Sequence, residues 1–133
     1  LKAFIRQQKL GGWVLGGEVG IYIRRNPDHI RGADVVFVSK DKLPTLTGRF
    51  LDVAPELVVE IISPNDRWQD MRDKLADYFS LGAEQVWVVE PASRKVLVYR
   101  SLTDIHEFAE DDTLAGEGIL EGFKLTVADL FAE

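Results

Sequence analysis

At 133 residues, with 46% hydrophobic and 29% charged side chains, the chain has the composition of one globular domain, long enough for a real core and short for two. A net charge of −6 gives no global attraction for a polyanion, so any nucleic-acid contact has to be local. The absence of cysteine excludes disulfides and thiolate metal sites and fits a cytoplasmic location, while no apolar run reaches the length of a membrane span and none reads as a signal peptide.

The chain opens on Leu1-Lys2-Ala3-Phe4-Ile5, which reads as the middle of an amphipathic helix, so an earlier N-terminal segment is expected. Trp13 to Leu15 and Glu18 to Arg24 predict a hairpin about Gly16-Gly17, and Asn26-Pro27-Asp28 to Gly32 a turn-rich loop. Asp34-Val35-Val36-Phe37-Val38 then reads as a buried strand with an acid at its start. Lys40 to Pro55 is a loop with room for one helical turn, and it is the candidate for a mobile, substrate-facing segment.

Leu57-Val58-Val59-Glu60-Ile61-Ile62 is short, continuous and apolar, the pattern of a strand buried on both faces. Ser63-Pro64-Asn65-Asp66 breaks it. Asp66 is placed to N-cap a helix that runs to about Leu81 and stops at Gly82, with Trp68, Met71, Leu75, Tyr78 and Phe79 as its inward stripe. Val86 to Val89 predicts another buried strand, which makes the helix a crossover between parallel neighbours. Lys95 to Arg100 pairs back through Pro91-Ala92-Ser93-Arg94, Ile105 to Ala109 adds an edge strand, and Thr126 caps a short helix from Val127 to Phe131.

Glu60 is the strongest pointer to function, because an uncompensated carboxylate on a central strand costs several kcal/mol. A buried ion pair, a strand end in solvent, a raised pKa or a metal ion would each compensate it. Asp34 is a turn residue or a second carboxylate; if its strand neighbours that of Glu60, two anionic oxygen donors meet at one point, as a magnesium ion prefers. At about 100° per residue Lys74 borders the buried stripe, where it either reaches the carboxylates or snorkels outward to Asp70 or Asp77. Candidate phosphate-facing cations are Arg24, Arg25, Arg31, Lys40, Lys42, Arg67, Arg72 and Lys74, each with a plain reading as solvated surface charge. His29 and His106 lack metal-ligand spacing, and no glycine-rich phosphate loop is present.

The stretches Gly32-Ala33-Asp34-Val35-Val36-Phe37-Val38 and Pro55-Glu56-Leu57-Val58-Val59-Glu60-Ile61-Ile62-Ser63-Pro64, followed by Asp70, Lys74, Tyr78, Gly82 and Val86-Trp87-Val88-Val89-Glu90-Pro91, resemble the Uma-two restriction endonuclease family of the PD-(D/E)XK nuclease superfamily. The resemblance runs from about Gly17 to Phe131. It implies an α/β (α+β) fold with a restriction endonuclease-like core, a central mixed sheet flanked by helices, and a magnesium-dependent site acting on DNA. Asp34 is then the first metal-binding acid, Glu60 the second and Lys74 the catalytic lysine, with Asp70 and Tyr78 as accessory positions. Two positions depart from the pattern: Ile62 stands where the superfamily lysine usually lies, and Ala33 replaces the motif proline. Glu18 is an extra acid or an exposed strand glutamate.

Phosphodiester hydrolysis needs an activated water, charge neutralisation at the phosphoryl oxygens and help for the leaving oxyanion. Asp34, Glu60 and the backbone carbonyl of Ile61 supply a ligand set for Mg2+ or Mn2+, and Lys74 a fixed positive charge. Two readings follow. One is a metal-dependent DNA endonuclease acting as a homodimer or larger oligomer, with Trp13, Phe50 and Leu130-Phe131 either apolar surface for assembly or part of the core; the other is a catalytically weak or inactive scaffold that works through assembly.

Overall fold

The computed structural model describes residues 12–116 and 124–131, so the expected helix at Leu1–Ile5 lies outside the described residues. Six strands form the main sheet in sequence order: β1 (Gly12–Arg24), β2 (His29–Ser39), β3 (Leu57–Ile61), β4 (Gln85–Glu90), β5 (Lys95–Tyr99) and β6 (Ile105–Phe108). Neighbours are antiparallel except β3 and β4, whose parallel pairing requires a crossover. Helix α1 (Trp68–Leu81) is that crossover, and it ends where Gly82 adopts φ 120°, a left-handed conformation that closes a helix with little strain only for glycine. The architecture is a mixed six-stranded α+β sheet.

Strand alternation assigns each side chain to a face. Even-numbered residues of β2 and β3, Val36, Val38 and Val58, pack with Val86 and Val88 beneath Met71, Leu75 and Tyr78 of α1. Odd-numbered ones, Phe37, Leu57 and Val59, join Trp87 and Val96 on the opposite face. That second face is covered by a two-stranded sheet, β7 (Thr113–Ala115) with β8 (Lys124–Thr126), and by α2 (Val127–Phe131), through Leu114, Leu125 and Val127. Four consecutive residues of β3, Leu57 to Glu60, are consequently 1% exposed or less, as expected of a strand with both faces covered.

Several local expectations are corrected or sharpened; the loop expected to run to Gly32 ends by Asp28, since β2 begins at His29 and Asp34 lies within it. Gly16-Gly17 is not a hairpin turn: β1 is one strand, and Gly17 and Glu18, at φ 79° and 63°, form a bulge between the pairs Gly16 with Val35 and Val19 with Ala33. Asp66 does not cap α1, whose N-cap is Arg67 without a side-chain bond; its carboxylate instead accepts the Ser63 N–H at 2.8 Å and closes the turn after β3. The loop between β2 and β3 does begin with a helical turn, Leu43 N–H returning to the Ser39 carbonyl at 3.0 Å, but Leu51 then bridges Ile21 and ties the loop to β1. Of the side chains expected as apolar surface, Phe50 is exposed, whereas Leu130 and Phe131 pack on the second core and Trp13 is half-buried, donating its indole N–H to the Leu43 carbonyl at 2.6 Å.

Candidate active site

The β2–β3 register, Val35 with Val59 and Val36 with Val58, sets Asp34 opposite Glu60 on the face beneath α1. The two acids lock each other's backbones. Asp34 N–H donates to Glu60 Oε1 at 3.2 Å, and Ile61 N–H donates to Asp34 Oδ2 at 2.7 Å. In β1, Gly17 and Glu18 together face the single residue Asp34, so the bulge adds a third acid to the row Glu18, Asp34, Glu60 across three adjacent strands. The Glu18 carboxylate lies over Gly32, where a built β-carbon would sit 3.7 Å from Oε2.

Helix α1 supplies the remaining polar groups from residues one turn apart. Tyr78 donates its hydroxyl to Glu60 Oε2 at 2.9 Å, and the Lys74 ammonium lies 2.5 Å from the same oxygen while donating to the Gly32 carbonyl at 2.8 Å. Burial is the largest influence on Glu60 and pushes its carboxyl above the usual range; Lys74 and Tyr78 pull it back, and the Asp34 charge pushes it up again. Burial, and then the Glu60 charge, raise the Tyr78 phenol well beyond its ordinary value, so Tyr78 stays a protonated donor.

The group opens on a cleft of about 240 Å³, and Ile61, Asp66, Arg67 and Asp70 reach the same space as the three acids of the row and Lys74. Five carboxylates face two cations there, an imbalance that favours a bound cation. Among the described residues no three acidic or histidine side chains converge tightly enough to enclose an ion by themselves. The donor chemistry still fits a hard divalent cation, because magnesium takes one or two carboxylates and keeps several waters or substrate oxygens.

Each site residue named from the sequence has a definite place: Asp34, Glu60 and Lys74 meet, Tyr78 supports Glu60, and Glu18, Ile61 and Asp70 line the cleft. Asp77 is not the partner of Lys74; it takes Arg31 at 2.7 Å and His29 at 3.5 Å. Of the other candidate cations, Arg67 alone with Lys74 lines the cleft, while Lys42 donates to the Ala54 carbonyl and Lys40 lies over the Trp13 ring. The sequence reading missed the Gly32 carbonyl as the second anchor of Lys74, a backbone acceptor that leaves no mark in side-chain identity.

Comparison with solved structures finds the crystal structure of a chain from Anabaena variabilis described as "a putative nuclease belonging to DUF820". It aligns with a TM-score of 0.78 at 18% identity, covering 98% of this chain and 73% of the other, which establishes a common fold. No curated protein gives a significant match. The sequence model of the Uma2 family, described as "Putative restriction endonuclease", matches residues 1–128, nearly the whole of the 133, and the chain belongs to that family.

Proposed function

We propose that the protein is a magnesium-dependent DNA endonuclease, with Asp34, Glu60 and the Ile61 carbonyl as metal ligands and Lys74 as the catalytic cation. The observation that carries this reading is the reciprocal Asp34–Glu60 pair, two opposed carboxylates at the wall of an acidic cleft with an ammonium on one of them. A bound Mg2+ or Mn2+ would supply Lewis-acid polarisation of the phosphoryl group and lower the pKa of its water. Lys74, fixed between Glu60 and the Gly32 carbonyl, presents positive charge where the phosphoryl oxygens gain negative charge. Tyr78 orients Glu60 and holds it against the helix. Glu18 and Asp70 are accessory acids at the cleft wall. Family membership and the nuclease-like fold support the same assignment.

No helix among the described residues is long and apolar enough to cross a membrane. A second reading, an inactive scaffold working through assembly, is favoured by one fact: both Glu60 oxygens already accept bonds from protein donors. A supercoiled-plasmid nicking assay separates the two. Magnesium- or manganese-dependent nicking that disappears in Asp34→Asn and Lys74→Ala is the expected result; nicking that survives both substitutions, or absence of nicking with either metal, refutes the endonuclease assignment.

A further inference from the structure

Phe50 is 52% exposed, yet its ring packs against β1 and Tyr22. It lies against the β1 backbone at Gly20, where a β-carbon would come within 2.4 Å of Phe50 Cδ1, so only glycine leaves room for the ring in this position. The next residue, Leu51, donates to the Gly20 carbonyl at 2.9 Å and accepts from Tyr22 N–H at 2.8 Å, which pins the chain beside Phe50 to β1. Tyr22 meets the Phe50 ring edge to face at 5.7 Å, and the Arg25 guanidinium covers Tyr22 at 3.5 Å from its centroid.

These groups share a cavity of about 320 Å³ with Arg49, where two guanidiniums outnumber the single carboxylate of Asp52 on a chain whose net charge is −6. Neither arginine forms an ion pair with any described residue. Phe50 and Arg49 also line a neighbouring groove that ends at Glu18, and Glu18 in turn lines the acidic cleft. The aromatic and basic surface thus neighbours the candidate active site, with Glu18 lining both the groove and the cleft.

We propose that Phe50, braced by Tyr22 and flanked by Arg25 and Arg49, forms a stacking platform for the unpaired bases of a single-stranded DNA segment that leads into the cleft. The destination of the strand rests on the endonuclease reading; the platform itself rests on the geometry of these four residues. A fixed phenyl face accepts any base by stacking, and planar guanidiniums suit phosphate oxygens. An apolar peptide would have to bury the same two arginines with only Asp52 as a counter-charge, which disfavours it.

The test is fluorescence anisotropy in EDTA, so that nothing is cut, with a labelled single strand of about 16 nucleotides and the matching duplex. The wild type should prefer the single strand. Phe50→Ala should weaken that binding about five- to a hundredfold, the range expected for one stacked base. Phe50→Trp should restore it and show quenching of the added indole when DNA binds, and Arg49→Ala should lower the salt slope by about 0.7.

Unchanged affinity in Phe50→Ala with an unchanged circular dichroism spectrum, preference for duplex, or absence of wild-type binding overturns the platform. Dissociation of an oligomer on Phe50→Ala does so too, since a second copy would then be its occupant. Plasmid nicking that persists while binding ignores Phe50 overturns the platform and leaves the endonuclease reading standing; Phe50-dependent binding by a protein that nicks nothing does the reverse.

Discussion

Replacing Lys74 by methionine, which keeps most of the side-chain length and removes the charge, should destabilise the protein in a pH-dependent way. Glu60 is 1% exposed and the Lys74 side chain 24%, so the substitution leaves a buried carboxylate without its counter-ion. Breaking a fully buried pair costs about 3–5 kcal/mol. Partial solvent access to Lys74 and the two donors that remain on Glu60, Tyr78 O–H and Asp34 N–H, reduce this to about 2–3 kcal/mol at pH 7.5. For a chain of 133 residues that is a fall of about 7–10 °C in melting temperature.

The pH dependence follows from the sign of the Glu60 shift. Its folded pKa is raised above the ordinary 4.5, so the folded state holds the proton more tightly than the unfolded chain does. The stabilising contribution is full below about pH 4.5 and is lost as pH rises through the raised value. Removing Lys74 raises that value further, because one of the two groups pulling it down is gone. The difference between wild type and Lys74→Met should thus be largest near pH 7.5 and shrink as pH falls through the raised value, where Glu60 takes up its proton. Urea unfolding at a series of pH values measures it, and Lys74→Met/Glu60→Gln should recover most of the loss. A deficit that stays constant with pH, or is additive in the double variant, would show that Lys74 contributes packing alone.

Two further outcomes are expected. Magnesium or manganese at about ten times its dissociation constant should stabilise the wild type by about 1.4 kcal/mol, or about 5 °C, and Glu60→Gln should lose that response while gaining stability without metal, since the burial cost of its charge is removed; equal metal shifts in both proteins would rule out Glu60 as a ligand. Two copies acting on both strands of a duplex call for an oligomer, so light scattering at micromolar concentration should give at least twice 15.0 kDa, and a strictly monomeric protein would leave at most a nickase.

Glu60 was legible because a carboxylate inside an aliphatic run contradicts its surroundings, and that contradiction needs no structure to be seen. Its pairing with Asp34 was legible only as a condition. Whether residue 34 faces residue 60 depends on a register set across the whole 40–56 loop, and a slip of one residue would have put the two acids on opposite faces. The Gly16-Gly17 error has a similar cause. Glycines at positive φ serve a hairpin turn and a bulge equally well, and long-range pairing with β2 chose the bulge. At Asp66 two local bonds competed, and the Ser63 N–H won over the helix terminus. β7 and β8, three residues each, are too short to carry a period.

That the cation beside Glu60 comes from position 74 and not from position 62 has a structural reason. Ile62, two positions after Glu60, lies on the same side as Glu60, but there it is 3% exposed and packed into the core beneath α1. A lysine at that position would carry its ammonium into the layer held by Met71 and Leu75, at the cost of burying a charge that Glu60 alone would have to neutralise. Position 74 meets Glu60 from the other side. One turn before Tyr78, it brings its ammonium to the same oxygen Oε2 along the rim of the cleft, keeps partial contact with water, and gains the Gly32 carbonyl as a second acceptor. With α1 closing over the end of β3, the helix is the element from which a cation reaches Glu60 without passing through the core.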